Sequence, residues 1–70
     1  MKKMSIKQVN NLVVESTLLH INNKELRLGQ SFMIKLHELN PTLYNSITNT
    51  DNDPFFDDKI IKKFLKFINE

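Results

Sequence analysis

The sequence predicts an all-α fold, a small bundle of three helices plus a short connecting helix, in a single domain over residues 1–70. Three observations predict it. A capping-box spacing at Ser5 and Gln8 opens a helical pattern, and the pair Asn40 and Pro41 ends one helix and starts another. The last fourteen residues place apolar and basic side chains on opposite sides of a helix.

Length and composition narrow the classes of function. A 70-residue chain buries only about 60% of the surface that it exposes when unfolded, and with no cysteine it has no disulfide to stabilise it. Apolar packing or a bound partner must therefore supply most of the stability. The net charge of +2 is weak evidence for nucleic-acid binding. Apolar runs stay far below the roughly 20 residues of a membrane span, so we expect a cytoplasmic protein with no membrane partner.

The first helix begins at Ser5, and Ile6, Val9 and Val13 then recur at helical intervals. Beyond Val14 the periodicity degrades, and residues 13–21 would also fit an extended segment. A minor alternative is therefore an N-terminal β-hairpin packed on two helices, with strands at 18–21 and 26–28 joined by an asparagine turn at 22–23.

From Asn23 the helical pattern returns and runs to Leu39. One face carries the apolar residues Leu26, Leu28, Phe32, Met33, Leu36 and Leu39, and the other carries Arg27, Ser31, Lys35 and Glu38. Gly29 lies in the apolar face, where the missing side chain would let another helix approach closely, at a cost of about 1 kcal/mol in helix propensity.

Asn40 and Pro41 end that helix, and the same pair caps a short third helix whose apolar side is Leu43, Tyr44 and Ile47. Residues 48–53 then form a polar loop, and Pro54 either opens the last helix or stiffens the turn before it. The last helix, over 57–70, has an apolar arc of Ile60, Ile61, Phe64, Leu65, Phe67 and Ile68. The predicted core is Phe32, Leu36, Leu39, Leu43, Ile60, Phe64 and Phe67.

Catalytic, cofactor and metal sites are not indicated. The cluster Asp51, Asp53, Asp57 and Asp58 lacks the glycine and glutamate spacing of a calcium loop, and helix capping explains the same aspartates. The pair His37 and Glu38 lacks the second histidine of a zinc protease motif, because Pro41 stands in its place. Ser31 lacks the glycine context of a hydrolase nucleophile. We therefore expect a protein that is not an enzyme.

Two surfaces are candidates for binding. Phe55 and Phe56 are adjacent aromatics that cannot both point comfortably into so small a core, so one of them could be exposed; the alternative is that both hold the loop against the bundle. With Asp51, Asp53, Asp57 and Asp58 they would form an aromatic pair ringed by acids, suited to a basic protein partner. The alternative is the basic side of the last helix, which could bind nucleic-acid phosphates through Lys59, Lys62, Lys63 and Lys66. The same lysines could also lie on an anionic membrane or simply face water.

Several motifs between Leu26 and Ile68 resemble small uncharacterised proteins of tailed phages. The segments are Leu26-Arg27-Leu28-Gly29-Gln30, the break at Asn40-Pro41, and Asp53-Pro54-Phe55-Phe56-Asp57-Asp58. The resemblance favours the helical interpretation of residues 26–39 and implies no catalytic residues. Together with the short length and the lack of active-site motifs, it suggests a small protein that binds a host or phage protein in the host cytoplasm, as an inhibitor of a host enzyme or antiviral defence complex. A nucleic-acid-binding protein and a self-assembling component, or homo-oligomer, are the alternatives.

Overall fold

The computed structural model describes residues 3–69, and in that range the chain is all-α. Residues 1, 2 and 70 lie outside this range, so Glu70, the predicted last residue of the C-terminal helix, is outside the described residues. The elements, in order, are α1 (Ile6–Asn22), α2 (Leu28–Leu39), α3 (Pro41–Ile47), a short 3-10 helix (Asp58–Ile60) and α4 (Ile61–Ile68). No helix within residues 3–69 combines the length and the apolar character needed to cross a bilayer.

Helix α1 begins with the predicted capping box. The Gln8 N–H donates to Ser5 Oγ at 3.3 Å, and the Ser5 N–H donates to Gln8 Oε1 at 2.9 Å. The helix then continues through residues 18–21, so the alternative of an N-terminal β-hairpin is wrong. In the stretch where local periodicity is weak, Ser16 is buried and Val13 packs against the core, so tertiary packing stabilises the helix there.

Helix α2 begins at Leu28 rather than at Asn23. Residues 23–26 form the turn that reverses the chain, in which the Leu26 N–H donates to the Asn23 carbonyl at 2.9 Å. The Nδ1 atom of His20 lies 2.7 Å from the Leu26 carbonyl oxygen and fixes the same turn. The reversal lets α2 pack along α1, and the α1–α2 interface is the most extensive of those between helices.

Two side chains of α2 do not face as predicted. Ser31, expected on the outer face, is fully buried, and its hydroxyl donates to the Arg27 carbonyl at 3.2 Å, so burial leaves no polar atom without a partner. Leu39, expected in the core, is 43% exposed at the end of the helix. The next junction is as predicted: Asn40 Oδ1 accepts from the Leu43 N–H at 3.1 Å, and Pro41 is the first residue of α3.

The last helix is shorter than predicted. Asp57 Oδ1 accepts from the Lys59 N–H at 2.9 Å and caps the 3-10 helix, and α4 follows from Ile61. Pro54 is buried in the turn before it, so the second interpretation of this proline is the right one: it stiffens the turn. The Met4 N–H donates to the Ile68 carbonyl at 2.8 Å, which joins the two ends of the described chain.

The core lies between all four α-helices. Phe64 of α4 is fully buried, and its ring meets Phe32 of α2 edge to face with the ring centroids 5.7 Å apart. Ile60 and Phe67, both predicted in the core, are only half-buried, because they lie at the edges of the apolar arc. The buried apolar residues are Met4, Val9, Leu12, Phe32, Met33, Leu36, Leu43, Ile47, Phe64 and Ile68.

Candidate protein-binding surface

The loop over residues 48–57 has a defined shape because its side chains bond to its own backbone. Asp53 organises most of it: one carboxylate oxygen accepts from the Asn49 N–H at 2.8 Å, and the other accepts from the Phe55 N–H at 2.9 Å. Asn49 has a φ of 64°, a left-handed conformation that asparagine tolerates better than most residues. The loop therefore presents Phe55 and Phe56 in a fixed orientation.

Three contacts fasten this loop to the start of α2. Asp58 Oδ1 accepts from the Gly29 N–H at 2.9 Å, and Arg27 Nη2 donates to the Phe55 carbonyl at 2.6 Å. A Cβ atom at Gly29 would lie 2.0 Å from the Pro54 carbonyl oxygen, so only glycine fits there. The glycine permits a close approach as predicted, but the approaching group is a loop carbonyl and not another helix.

The two phenylalanines have different roles. Phe55 is half-buried and packs against the core, whereas Phe56 is 77% exposed. Their ring centroids lie 4.9 Å apart in an edge-to-face arrangement, so the Phe55 ring supports the exposed ring of Phe56. The expectation that both rings cannot enter the core is met by turning Phe56 outward.

A second aromatic pair lies next to the first. The rings of His37 in α2 and Tyr44 in α3 are 4.6 Å apart, also edge to face. Two shallow depressions, of about 170 and 190 Å³, share Met33, Tyr44 and Phe55 as lining residues. We call this surface the aromatic patch, defined by Met33, His37, Tyr44, Phe55 and Phe56.

The size of the depressions decides what they can hold. Sites for small molecules usually enclose about 300–1,000 Å³, so each depression suits a single side chain of a protein partner better than a ligand. Sequence reasoning missed the contribution of His37 and Tyr44 to this surface. The sequence signal that could have indicated it is the helix break at Asn40 and Pro41. The break turns α3 back toward α2, so that His37 and Tyr44, seven residues apart, come into contact.

The four aspartates predicted to surround the aromatic pair differ in their positions and contacts. Asp51 is exposed, Asp53 lines the depression beside Phe56, and Asp57 and Asp58 cap the 3-10 helix and α2. Within residues 3–69 the ion pairs both involve Lys35, with Glu15 at 3.9 Å and Glu38 at 3.5 Å. None of the four aspartates forms an ion pair within 4.0 Å in that range. Nor do three potential metal ligands come together in the described part of the chain.

The four lysines proposed as a nucleic-acid surface are all exposed. Lys59 lies in the 3-10 helix, and Lys62, Lys63 and Lys66 follow on α4. Helical spacing puts the four within an arc of about 100°, opposite the buried side chain of Phe64. The lysines therefore form one row that is free to contact phosphates.

Comparisons with protein-family models, with curated proteins and with solved structures found no match for this chain. The geometry of the two surfaces is accordingly the basis for a functional argument.

Proposed function

We propose that this chain is a phage-type protein-binding module whose aromatic patch engages a basic surface of a host or phage protein in the host cytoplasm. The observation that carries the proposal is the exposure of Phe56, which leaves 77% of its surface in water. Phe56 lines one of the two depressions of side-chain size, and Phe55 lines both. Aromatic side chains, phenylalanine among them, are enriched at the cores of protein interfaces relative to the rest of the surface.

The charge around the patch favours a basic partner. Asp51, Asp53 and Asp57 lie within five residues of Phe56, and none of these carboxylates forms an ion pair within 4.0 Å among residues 3–69. The Arg27 guanidinium, which donates to the Phe55 carbonyl, is the nearby cation on this side of the fold. The field of the three carboxylates accelerates encounters with positively charged proteins and disfavours acidic ones. Salt should therefore weaken binding, because it screens exposed charges.

The role that we propose is inhibition of a host enzyme or an antiviral defence complex. The resemblance of the Asp53-Pro54-Phe55-Phe56-Asp57-Asp58 segment to small tailed-phage proteins supports it. A rigid 70-residue domain can block a larger target simply by occupying its surface, and this needs no catalytic residue.

A capture experiment tests the proposal. The tagged full chain and its Phe56→Ala variant are each incubated with bacterial lysate, at low and at high salt, and the retained proteins are identified. Ile6→Ala is the matched control, because Ile6 is similarly exposed, at 69%, but lies at the start of α1. We expect a basic protein that the original chain and Ile6→Ala retain and that Phe56→Ala and high salt lose. Equal recovery of every protein by all three chains would refute the proposal.

The lysine row supports a second candidate, a small nucleic-acid-binding protein. The observation in its favour is that Lys59, Lys62, Lys63 and Lys66 are all exposed on one side of the C-terminal segment. A gel-shift assay at low salt, with double-stranded and single-stranded probes, tests it. Binding that disappears when Lys62 and Lys66 are changed to glutamine would support this candidate. Failure to shift any probe at low salt would remove it.

A further inference from the structure

The depression of about 170 Å³ beside Phe56 combines aromatic rings with a carboxylate. Its lining residues include the aromatic Tyr44, Phe55 and Phe56 and the polar Thr48 and Asp53. Within the described residues 3–69, neither a lysine nor an arginine lines it. Aromatic ring faces and carboxylates both attract cations, so the chemistry of this lining favours a positively charged occupant.

The side chains of Asp53 and Thr48 can accept further hydrogen bonds but have no donor to offer. Each Asp53 carboxylate oxygen accepts one backbone N–H, from Asn49 at 2.8 Å and from Phe55 at 2.9 Å. A carboxylate has about four acceptor positions, so two remain free. The Thr48 hydroxyl donates to the Tyr44 carbonyl at 2.8 Å, which leaves its oxygen only lone pairs. A ligand for these oxygens must therefore bring the donors.

We propose that the protein partner inserts an arginine side chain into this depression, an inference that rests on the proposed function. The guanidinium stacks on the Phe56 ring and donates to the free acceptor positions of Asp53. Arginine suits this lining better than lysine, because its planar group is weakly hydrated, stacks on aromatic rings and carries five N–H donors. The lysine ammonium is a strongly hydrated point charge, which costs more to remove from water.

The arginine comes from a different protein and not from a second copy of this chain. Arg27 is the single arginine in the sequence, and its Nη2 atom donates to the Phe55 carbonyl at 2.6 Å. Arg27 does not line the depression, and a second copy would have to break this contact to supply its guanidinium. The volume of about 170 Å³ is well below the roughly 300 Å³ of small-molecule sites, so it agrees with one side chain on a protein surface.

Blocked amino acids test this occupancy on the full chain. N-acetyl-arginine N-methylamide is added up to about 20 mM while the backbone amides are followed by NMR, and the lysine and citrulline analogues are titrated in parallel. We expect the arginine probe to shift amides within residues 44–56, with a dissociation constant on the order of 10 mM. The lysine probe should bind about threefold more weakly or worse, and citrulline, which has the shape of arginine without its charge, should not bind.

The probes can also contradict the proposal. No shifts with the arginine probe up to about 20 mM would overturn it. So would a citrulline or lysine probe that binds as tightly as the arginine probe, because the charge or the planar group would then be irrelevant.

Two substitutions at Phe56 separate stacking from apolar contact. Phe56→Leu keeps an apolar side chain without a ring and should raise the dissociation constant of the arginine probe about threefold or more, as Phe56→Ala should. A Phe56→Leu variant that binds the probe as tightly as the unchanged chain would overturn the stacking arrangement.

A matched pair of aspartates tests the carboxylate. Asp53→Asn should also weaken the arginine probe about threefold or more, whereas Asp51→Asn, which removes an exposed charge of the same loop outside the lining, should change it less than about twofold. Equal effects of the two substitutions would show that Asp53 makes no direct contact. Because Asp53 also orders the loop, the Phe56 variants decide the outcome if Asp53→Asn alters the amide spectrum of the whole loop.

The result is separable from that of the capture experiment. If a lysate protein depends on Phe56 for its capture but the arginine probe does not bind, the proposed function stands and the arginine occupancy is wrong. If the probe binds as expected but no protein depends on Phe56, the depression accepts arginine and the proposed function is wrong.

Discussion

The Asp58 carboxylate accepts a hydrogen bond from the Gly29 N–H at 2.9 Å and so caps the first turn of α2 from a position 29 residues further along the chain. Arg27, which precedes the helix, has no side-chain acceptor, and its own N–H donates to Gln30 Oε1 at 2.9 Å. The Asp58 carboxylate also lies where the helix dipole favours negative charge. The same contact stabilises the helix and holds the loop that presents Phe56.

Removing this cap should destabilise the fold measurably. We expect Asp58→Ala to lower the free energy of unfolding by about 1 kcal/mol, because the Gly29 N–H loses its acceptor. Asp58→Asn keeps an acceptor oxygen and should cost less, about 0.5 kcal/mol, which is the loss of charge at the helix end. Urea denaturation measures both.

Asp51→Ala is the matched control for the cap, since Asp51 is an exposed aspartate of the same loop. It should leave the stability within about 0.5 kcal/mol of the unchanged chain. Equal losses for Asp58→Ala and Asp51→Ala would show that the cap contributes nothing specific.

Gly29→Ala should destabilise the chain even though alanine is the better helix former. The gain in propensity is about 1 kcal/mol, but the new methyl group would lie 2.0 Å from the Pro54 carbonyl oxygen, and backbone would have to move. Overpacking of this kind typically costs about 1–3 kcal/mol and can cost more. Because the obstructing atom belongs to the backbone, we expect a cost at the upper end, about 3 kcal/mol, and hence a net loss of about 2 kcal/mol. Thermal unfolding, with a lower midpoint, is the measurement.

Asn45→Ala serves as the control for helix propensity, because Asn45 is exposed in α3. It should raise the stability slightly, by about 0.5 kcal/mol. A Gly29→Ala variant that is as stable as Asn45→Ala would contradict the close contact between the loop and α2.

The fold was predictable wherever the signal was local. The capping box at Ser5 and the junction at Asn40 and Pro41 act within a few residues, and the structure has both as the sequence predicts them. The start of α2 was not predictable, because the turn after α1 depends on His20 contacting the Leu26 carbonyl across the reversal. Burial of Ser31 likewise depends on how α2 lies in the fold and not on its residue type.

Of the aromatic patch, the sequence predicted only Phe55 and Phe56. The adjacent phenylalanines after Pro54 suggested that one ring could turn outward, and Phe56 is the exposed one. The pairing of His37 with Tyr44 depends on two helices meeting, and no periodicity within either helix encodes it. The exposed apolar residues of α1, Val14, Leu18 and Ile21, were visible in the sequence only as a loss of periodicity beyond Val14, because a helix with apolar residues on two faces does not show a single peak.

Ser16→Ala should stabilise the chain. Ser16 is fully buried in α1, and its hydroxyl has no hydrogen-bond partner within the described part of the chain. Alanine removes this unsatisfied polar atom and is a better helix former, so we expect a gain of about 1 kcal/mol. Ser31→Ala is the matched comparison, because it removes an equally buried hydroxyl that does have a partner, the Arg27 carbonyl. Ser31→Ala should be neutral or destabilising. Chemical denaturation measures the stability of both variants. A Ser16→Ala variant that is less stable than Ser31→Ala would show that the Ser16 hydroxyl has a hydrogen-bond partner.

Alanine substitutions at Phe55 and at Phe56 should differ in their effects on stability. Phe55→Ala removes a half-buried ring that packs on the core, and we expect a loss of about 1–2 kcal/mol, less than the 3–5 kcal/mol typical of a fully buried phenylalanine. Phe56→Ala should change the stability by no more than about 0.5 kcal/mol, because most of this ring is already in water. Urea denaturation tests both values.

The proposed function requires that Phe56→Ala, the substitution with the smaller effect on stability, has the larger effect on partner binding. Once a captured partner is purified, isothermal titration should show that Phe56→Ala weakens binding about thirtyfold or more, as the loss of a central aromatic anchor does. If urea denaturation gives Phe56→Ala the expected stability, this loss cannot be attributed to unfolding. A partner that binds Phe56→Ala as tightly as it binds the original chain, but loses affinity for Phe55→Ala in proportion to stability, would show that the patch is only part of the core.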